Sequence, residues 1–372
     1  MALPKKPVAF LILLAVVLLV VAVSFFVFDE GSWSFTINGD TSKSVNSSLY
    51  AKLENCTRTY DGVTGIPLEF FLYYYGVYPV ESVSYGGATL NWGATAYSAD
   101  KDIPVLVGPD GAIHYKGASA LVKDVEVAVS EKPNASTLDI APSILYALNA
   151  GGREGLIHGK AGRVVLIYID ALGYYRYEDA LSRGLVDNMS SLGEPIKAVC
   201  VYPSITQNNA KSMATGLAPN LSKGDFRSYE PAGKTIVDVL NENGKSAVWV
   251  DGPSPPVNIS ATVSRVDSNG DGTPDDEVAE AAIWEYRMGA NLTIVHFKST
   301  DTVMHAYGPY SEEGRGSLKA IDSYVGKILK ALDNGTVVVI CSDHGCHAID
   351  NGGNHGTLLP DDMYIPIIVG SV

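Results

Sequence analysis

Basic side chains are the scarcer charged class: 27 Lys and Arg stand against 41 Asp and Glu, leaving a formal charge of -14. A chain this acidic lacks the clustered cations that neutralise phosphates on nucleic acid or anionic lipid, so no specific nucleic-acid binding is expected. An anionic small substrate would have to be met by local metal charge. Cysteine is down to four residues, Cys56, Cys200, Cys341 and Cys346. Outside a cell they could pair, but their spacing assigns no connectivity. Long apolar runs are also few. The one that reaches membrane length is Val8 to Phe28, which lacks charge and glycine and matches the ~20 residues of a spanning helix.

Lys5 and Lys6 precede that run and Asp29 and Glu30 follow it. The positive-inside rule then predicts a single-pass anchor in the cell membrane with everything after Asp29 extracytoplasmic. A cleaved signal peptide competes, since Ala22-Val23-Ser24 is a passable cleavage site, but the apolar run exceeds the usual ~7–15 residues. Eight of 18 Asn residues open an Asn-x-Ser/Thr sequon: Asn46, Asn55, Asn134, Asn188, Asn220, Asn258, Asn291 and Asn334. That frequency suits a glycosylated surface protein.

Between residues 31 and 130 the chain is rich in Tyr, Thr, Val and Gly, with short alternating stretches such as Ser32 to Ile37 and Val125 to Val129. This predicts a small β-rich domain, with one helix near Pro67 to Tyr75. Residues 131–162, dotted with Pro133, Pro142, Gly151, Gly152 and Gly155, read as a linker with a short helix, Ala141 to Leu148. From residue 163 the pattern alternates. Strands are expected at Val164 to Ile169, Ser246 to Val250, Leu292 to Phe297 and Thr336 to Ile340, with helices at Lys234 to Asn243, at Glu277 to Met288 and through Leu318, Ile321, Val325, Ile328 and Leu332. Such alternation implies an α/β domain: a doubly wound, mostly parallel sheet with helices on both faces, whose ligands gather at the carboxyl ends of the strands.

Chemistry-bearing residues fall at those ends. Asp170 closes the first run, Asp301 and His305 follow the third, and Asp343-His344 follows the fourth, with His355 a few residues on. Thr206 lies just beyond a further apolar stretch. Mixed carboxylate and imidazole donors suit divalent metal, zinc above all, with manganese also accommodated. A separate acidic segment, Asp267, Asn269, Asp271, Thr273 and Asp275 with Gly272 at the sixth position, has the spacing of a calcium loop but ends on Val278 instead of Glu. His114, His158 and His296 read as core or surface residues without catalytic duty, and His347 as a neighbour of the site or a surface residue.

The order Asp170, Thr206, Asp301-x-x-x-His305, Asp343-His344-Gly345, His355 resembles the alkaline phosphatase superfamily, and within it the type I phosphodiesterase and nucleotide pyrophosphatase branch. Asn209, Thr215 and Gly216 stand at that branch's offsets from the nucleophilic Thr, and Gly308-Pro309 extends the second motif. The resemblance implies a hydrolase of phosphate diesters or nucleotide-like pyrophosphates, which the Val8 to Phe28 run would anchor to the membrane, with Thr206 as nucleophile and Asn209 as donor to a phosphate oxygen. Two ions would be held, one by Asp301, His305 and His355, the other by Asp170, Thr206, Asp343 and His344. No Arg lies between Tyr202 and Gly216, which disfavours the phosphomonoesterases, while Lys211 keeps monoester or phosphonate hydrolysis as an alternative. The sulfatase pattern Cys/Ser-x-Pro-x-Arg is lacking at Thr206. A surface adhesion or receptor protein with a decayed enzyme domain is the non-catalytic alternative.

Overall fold

The computed structural model describes residues 32–90, 104–220, 233–259 and 261–372. Val8 to Phe28 lies outside them, and among the described residues no helix is long and apolar enough to cross a membrane.

Residues 34–129 form two small sheets of five strands each, with the helix Leu68–Tyr74 between the strands. The first strand, Ser34–Asn38, pairs parallel with Asp124–Val129 and antiparallel with Ser42–Asn46. Alternation explains the pairing, since Phe35 and Ile37 point into the core while their neighbours stay partly exposed.

The large sheet has eight strands: β1 (Ala135–Ser136), β2 (Val164–Ile169), β3 (Ile196–Val199), β4 (Ala247–Asp251), β5 (Thr262–Ser264), β6 (Leu292–Phe297), β7 (Val337–Ser342) and β8 (Tyr364–Ser371). Their order is β1-β3-β8-β7-β2-β6-β4-β5. All neighbours run parallel except β8, which is antiparallel to both β3 and β7. Every residue of β2 is buried, as a central strand covered on both faces requires. Val164, Leu166 and Tyr168 face one apolar cluster with helices α1 (Ile140–Ala147), α3 (Thr206–Thr215) and α4 (Ile236–Glu242). Val165, Ile167 and Ile169 face the other, against α2 (Tyr174–Ser182), α5 (Asp275–Arg287) and α7 (Glu312–Ala331). The expected helices and strands of this region lie within a few residues of these bounds.

Residues 131–162 are not the spacer expected from their Pro and Gly content. Ala135 and Ser136 extend the large sheet beside β3, and α1 packs on α3 and α4. The helix's apolar residues Ile140, Ile144, Ala147 and Leu148 are nearly inaccessible, which couples the segment to the sheet. The small sheets contribute to the same apolar cluster, which runs from Phe35 and Ile37 to Val339 and Ile365. All four cysteines are buried, and no disulfide joins any two of them.

Backbone crowding sets the shape at the strand ends. A Cβ on Gly345 would overlap the Asp361 carbonyl oxygen and come within 2.9 Å of the Gly173 Cα. Gly345 therefore follows Asp343-His344 because the chain turns against two other backbones. Gly345→Ala should cost about 1–3 kcal/mol or more, the penalty for forcing atoms into a filled site, read as a lowered urea midpoint at unchanged slope.

Candidate active site

Strand register assembles the site. Ile169 of β2 is level with Ser342 of β7 and with Phe297 of β6, so the next residues, Asp170 and Asp343, emerge side by side at the carboxyl edge. Beyond β6 the chain enters α6 (Ser299–Tyr307), where Asp301 and His305 share a face at i and i+4. His355 follows a hairpin of Gly352–Asn354 with His347–Ile349. Gly352 and Gly353 let that hairpin press on α6, since a Cβ at either would strike His305 or Met304.

Two groups of donors result, Asp301 with His305 and His355, and Asp170 with Asp343 and His344. In the first, Nε2 of His305 and of His355 lie 3.4 and 3.5 Å from Asp301 Oδ1. That oxygen is buried without a hydrogen-bond partner. His305 Nδ1 is 3.0 Å from the Gly353 carbonyl and His355 Nδ1 3.0 Å from the Ser204 carbonyl, so each ring donates through Nδ1 and turns its Nε2 lone pair inward. In the second group, His344 Nε2 stands 3.1 Å from Asp343 Oδ2 and 3.5 Å from Asp170 Oδ1, its Nδ1 2.8 Å from the Gly345 carbonyl. The His344 and His355 rings stack at 3.9 Å and join the groups.

The electrostatics match this donor set. Burial, then Asp343 and Asp301, push Asp170 up to about 7 against the opposing pull of His296 and His344. Burial and the neighbouring His344 hold His355 down to about 4, which keeps it a neutral donor. Three carboxylates crowded at a buried strand edge, one with an orphaned oxygen, and three rings presenting Nε2 are residues that fit divalent cations.

Thr206 is the first residue of α3. Its Oγ1 lies 3.4 Å from Asp170 Oδ1 and 3.2 Å from His344 Nε2. No side chain caps the helix start, so the first-turn amides are open to an anion. Asn209 is not the phosphate donor expected from its offset. It is fully buried, its Oδ1 accepts from Val201 N, and its Nδ2 donates to the carbonyls of Val201, Pro203 and Ile205. An amide committed to the loop before the nucleophile has no proton left for substrate. Lys211 is buried on the same helix, with partners of its own.

The acidic segment 267–275 is tied into local hydrogen bonds. Asp275 is buried and both its carboxylate oxygens accept amides, from Lys298 and Ser299, while Asp267 accepts from Gly270 and Gly272 and Asn269 and Asp271 close local turns. Asp267, Asn269, Asp271, Thr273 and Asp275 do not converge as the two Asp/His groups do. Among the sequons, Asn188 spends its amide on Asp322 and Asn291 on the Gly162 carbonyl. His347 is buried against Asp362 and His158 is on the surface with Glu154.

His296 departs most from expectation. It is fully buried, with Nε2 3.3 Å from Asp170 Oδ2 and Nδ1 2.9 Å from Asp251 Oδ2. Asp251 in turn meets Lys298 and Trp249. Burial opposes a charge on the ring, but Asp251 and Asp170 prevail and raise it to about 9. A lone His in an apolar strand carries no signal of this, because its partners come from two other strands.

Residues 263–368 match the family model described as Type I phosphodiesterase / nucleotide pyrophosphatase. Among curated proteins, the chain is 24% identical over 236 residues to the mouse (Mus musculus) GPI ethanolamine phosphate transferase 3, catalytic subunit, covering 54% of this chain and 21% of that protein. It is 32% identical over 83 residues to GPI ethanolamine phosphate transferase 3 of Schizosaccharomyces pombe and over 89 residues to transferase 1 of Candida glabrata, in each case 9% of the relative's length. The chain thus spans about a fifth or less of these relatives. Solved structures that it overlaps include phosphonoacetate hydrolase from Sinorhizobium meliloti 1021, at 16% identity, TM-score 0.38, and 50% and 56% of the two chains. A 2-O GAG sulfatase overlaps at 16% identity and TM-score 0.45, with 57% of this chain and 65% of its own covered. Both overlaps are too partial to speak to the chemistry. Residues 263–368, which carry Asp301, His305, Asp343, His344 and His355, thus resemble the type I phosphodiesterase / nucleotide pyrophosphatase family.

Proposed function

We propose that this protein cleaves phosphate diesters by attack of Thr206 on phosphorus, with one divalent cation at Asp301, His305 and His355 and a second at Asp170, Asp343, His344 and Thr206. The observation that carries the reading is the place of the Thr206 hydroxyl, at an uncapped helix start and within 3.4 Å of the second donor group. When bound, the ions, zinc by donor type and manganese as the substitute, supply the positive charge that lowers the hydroxyl's pKa and offsets charge on the phosphate.

The chain's own residues do the rest. Asp170 accepts the Thr206 hydroxyl proton in a hydrogen bond and aims the oxygen. The first-turn amides of α3 are placed to receive a non-bridging phosphate oxygen. A Thr206 Oγ1–P bond forms as the hydroxyl proton passes to water, the P–O bond to the leaving group breaks, and the departing oxygen takes up a proton from water. The resulting phosphothreonine is then released by a second oxygen nucleophile. With water the net reaction is phosphodiester or pyrophosphate hydrolysis; with an alcohol it is transfer, the reaction class in the names of the curated relatives. Both share the first half-reaction, so the residue assignments serve either. Without an Arg between Tyr202 and Gly216 a second phosphate charge has less to hold it, which favours diesters.

Elemental analysis of the purified full chain should find about two transition-metal ions per chain, and chelation should abolish turnover that zinc or manganese restores. Bis-p-nitrophenyl phosphate should be turned over faster than the monoester or the sulfate. Thr206→Ala should lower the rate by several orders of magnitude while metal largely remains, and Thr206→Ser should keep part of the activity. Diester hydrolysis by Thr206→Ala at the unaltered rate would sink the reading.

Asn209→Ala should act differently. Loss of its side chain leaves Val201 N and three carbonyls short of a partner, so stability should fall by about 1–3 kcal/mol in urea unfolding. A loss of activity with unaltered unfolding would instead return Asn209 to the role of phosphate donor.

A further inference from the structure

We infer that Lys298, Asp251 and His296 form a relay of polar side chains that fixes which oxygen Asp170 presents to its cation, a role that rests on the two-cation reading above. The relay runs across the strands. Tyr168 of β2 is level with His296 of β6, and Val295 with Val250 of β4, so Asp251 stands beside His296 in the next place. Lys298 Nζ lies 2.8 Å from Asp251 Oδ1, and Trp249 Nε1 donates to Asp251 Oδ2 at 3.0 Å. Asp251 Oδ2 meets His296 Nδ1 at 2.9 Å, and His296 Nε2 meets Asp170 Oδ2 at 3.3 Å.

The consequence sits at Asp170. His296 Nε2 faces Oδ2 at 3.3 Å without the alignment of a hydrogen bond, and Oδ1 is the oxygen turned to Thr206 and His344, the direction of the second donor group. Asp343 is fixed in parallel: Tyr168 donates its hydroxyl to Oδ2 at 2.9 Å, and the Ala171 amide donates to Oδ1. The Tyr168 and His296 rings stack at 3.9 Å, so the holders of both carboxylates pack as one unit. A histidine serving only to fill the core would not need a carboxylate at each nitrogen. Three buried ionisable groups in a row, with a half-buried lysine at the end, are an expensive core, since apolar residues of the same volume cost less to bury. Their value lies in orientation, because outer partners of this kind set a ligand's geometry and basicity.

The test uses the full chain and zinc, with affinity read by competition against a chromogenic chelator. Asp251→Asn, which keeps the shape and removes the charge, and His296→Gln should each weaken one of the two zinc sites by roughly 10–100-fold and leave the other unaltered. The melting temperature in excess chelator should fall in either role, because a buried ion pair loses a partner, so the discriminating readout is the rise on adding zinc, which shrinks if the relay orients Asp170 and is unaltered if the role is merely structural. Should His296→Gln fail to fold, Lys298→Met, at a side chain 23% exposed, makes the same comparison from the far end of the relay. Zinc binding at both sites with unaltered affinity in the variants would overturn the relay alone. An unaltered chain that binds no metal would take down the two-cation reading first.

Discussion

Three carboxylates, Asp170, Asp343 and Asp301, repel one another across a buried strand edge, and much of the surrounding structure is arranged around that repulsion. Burial and the two neighbouring carboxylates raise Asp170 to about 7, so left to itself that side chain would take up a proton or turn to water. The fold prevents the second escape with fixed partners. Asp343 is gripped by Tyr168, by the Ala171 amide and by Ser342. Asp170 is held by His296, and the Thr300 hydroxyl donates to its carbonyl. The donor rings of His305, His344 and His355 converge on the same edge.

Close backbone packing keeps the donors in place. Gly345 turns against Gly173 and Asp361, and Gly352 and Gly353 bring a hairpin onto α6 so that the Gly353 carbonyl can orient His305. The loop before Thr206 is braced from two directions. Asn209 ties it from within the helix, and the small β-rich region presses from outside, where Tyr202 donates to Glu69 at 3.0 Å and packs against Phe70 and Tyr73. The two parts of the chain therefore share a core at the point where the proposed nucleophile is positioned. A site whose reacting oxygen must be placed to within a fraction of an ångström gains from such bracing, because misplacement is costly in rate.

The proposed chemistry divides between these parts. Attack by Thr206 depends on the second donor group and on the open start of α3, all within the large sheet's carboxyl edge. Release of the phosphothreonine, by water or by an alcohol, depends on what can approach from the side of Asp301, His305 and His355. In the proposed scheme hydrolysis and transfer differ in access and not in the first step, which is why the resemblance to the family leaves room for both.

The large-sheet architecture was legible in the sequence because a buried parallel strand needs an unbroken apolar run, and each run ended at a residue with chemistry. Asp170, Asp343, His344, Asp301, His305 and His355 could be named from that pattern and the order of motifs. Spacing could not distinguish Asn209 as a donor to substrate from Asn209 as a strut, since both need an amide at the same place, and only the loop carbonyls around it decide. The acidic segment at 267–275 read as a calcium loop because side-chain oxygens recur there, yet they satisfy local amides once the turns close. His296 and Asp251 were invisible for the opposite reason. They lie 45 residues apart in sequence, on separate strands, and become a pair with Asp170 only when the sheet sets its register. Local pattern determined the strands and the residues at their ends; the partners of each charge were decided by tertiary structure, because electrostatic contacts follow distance in space and not along the chain.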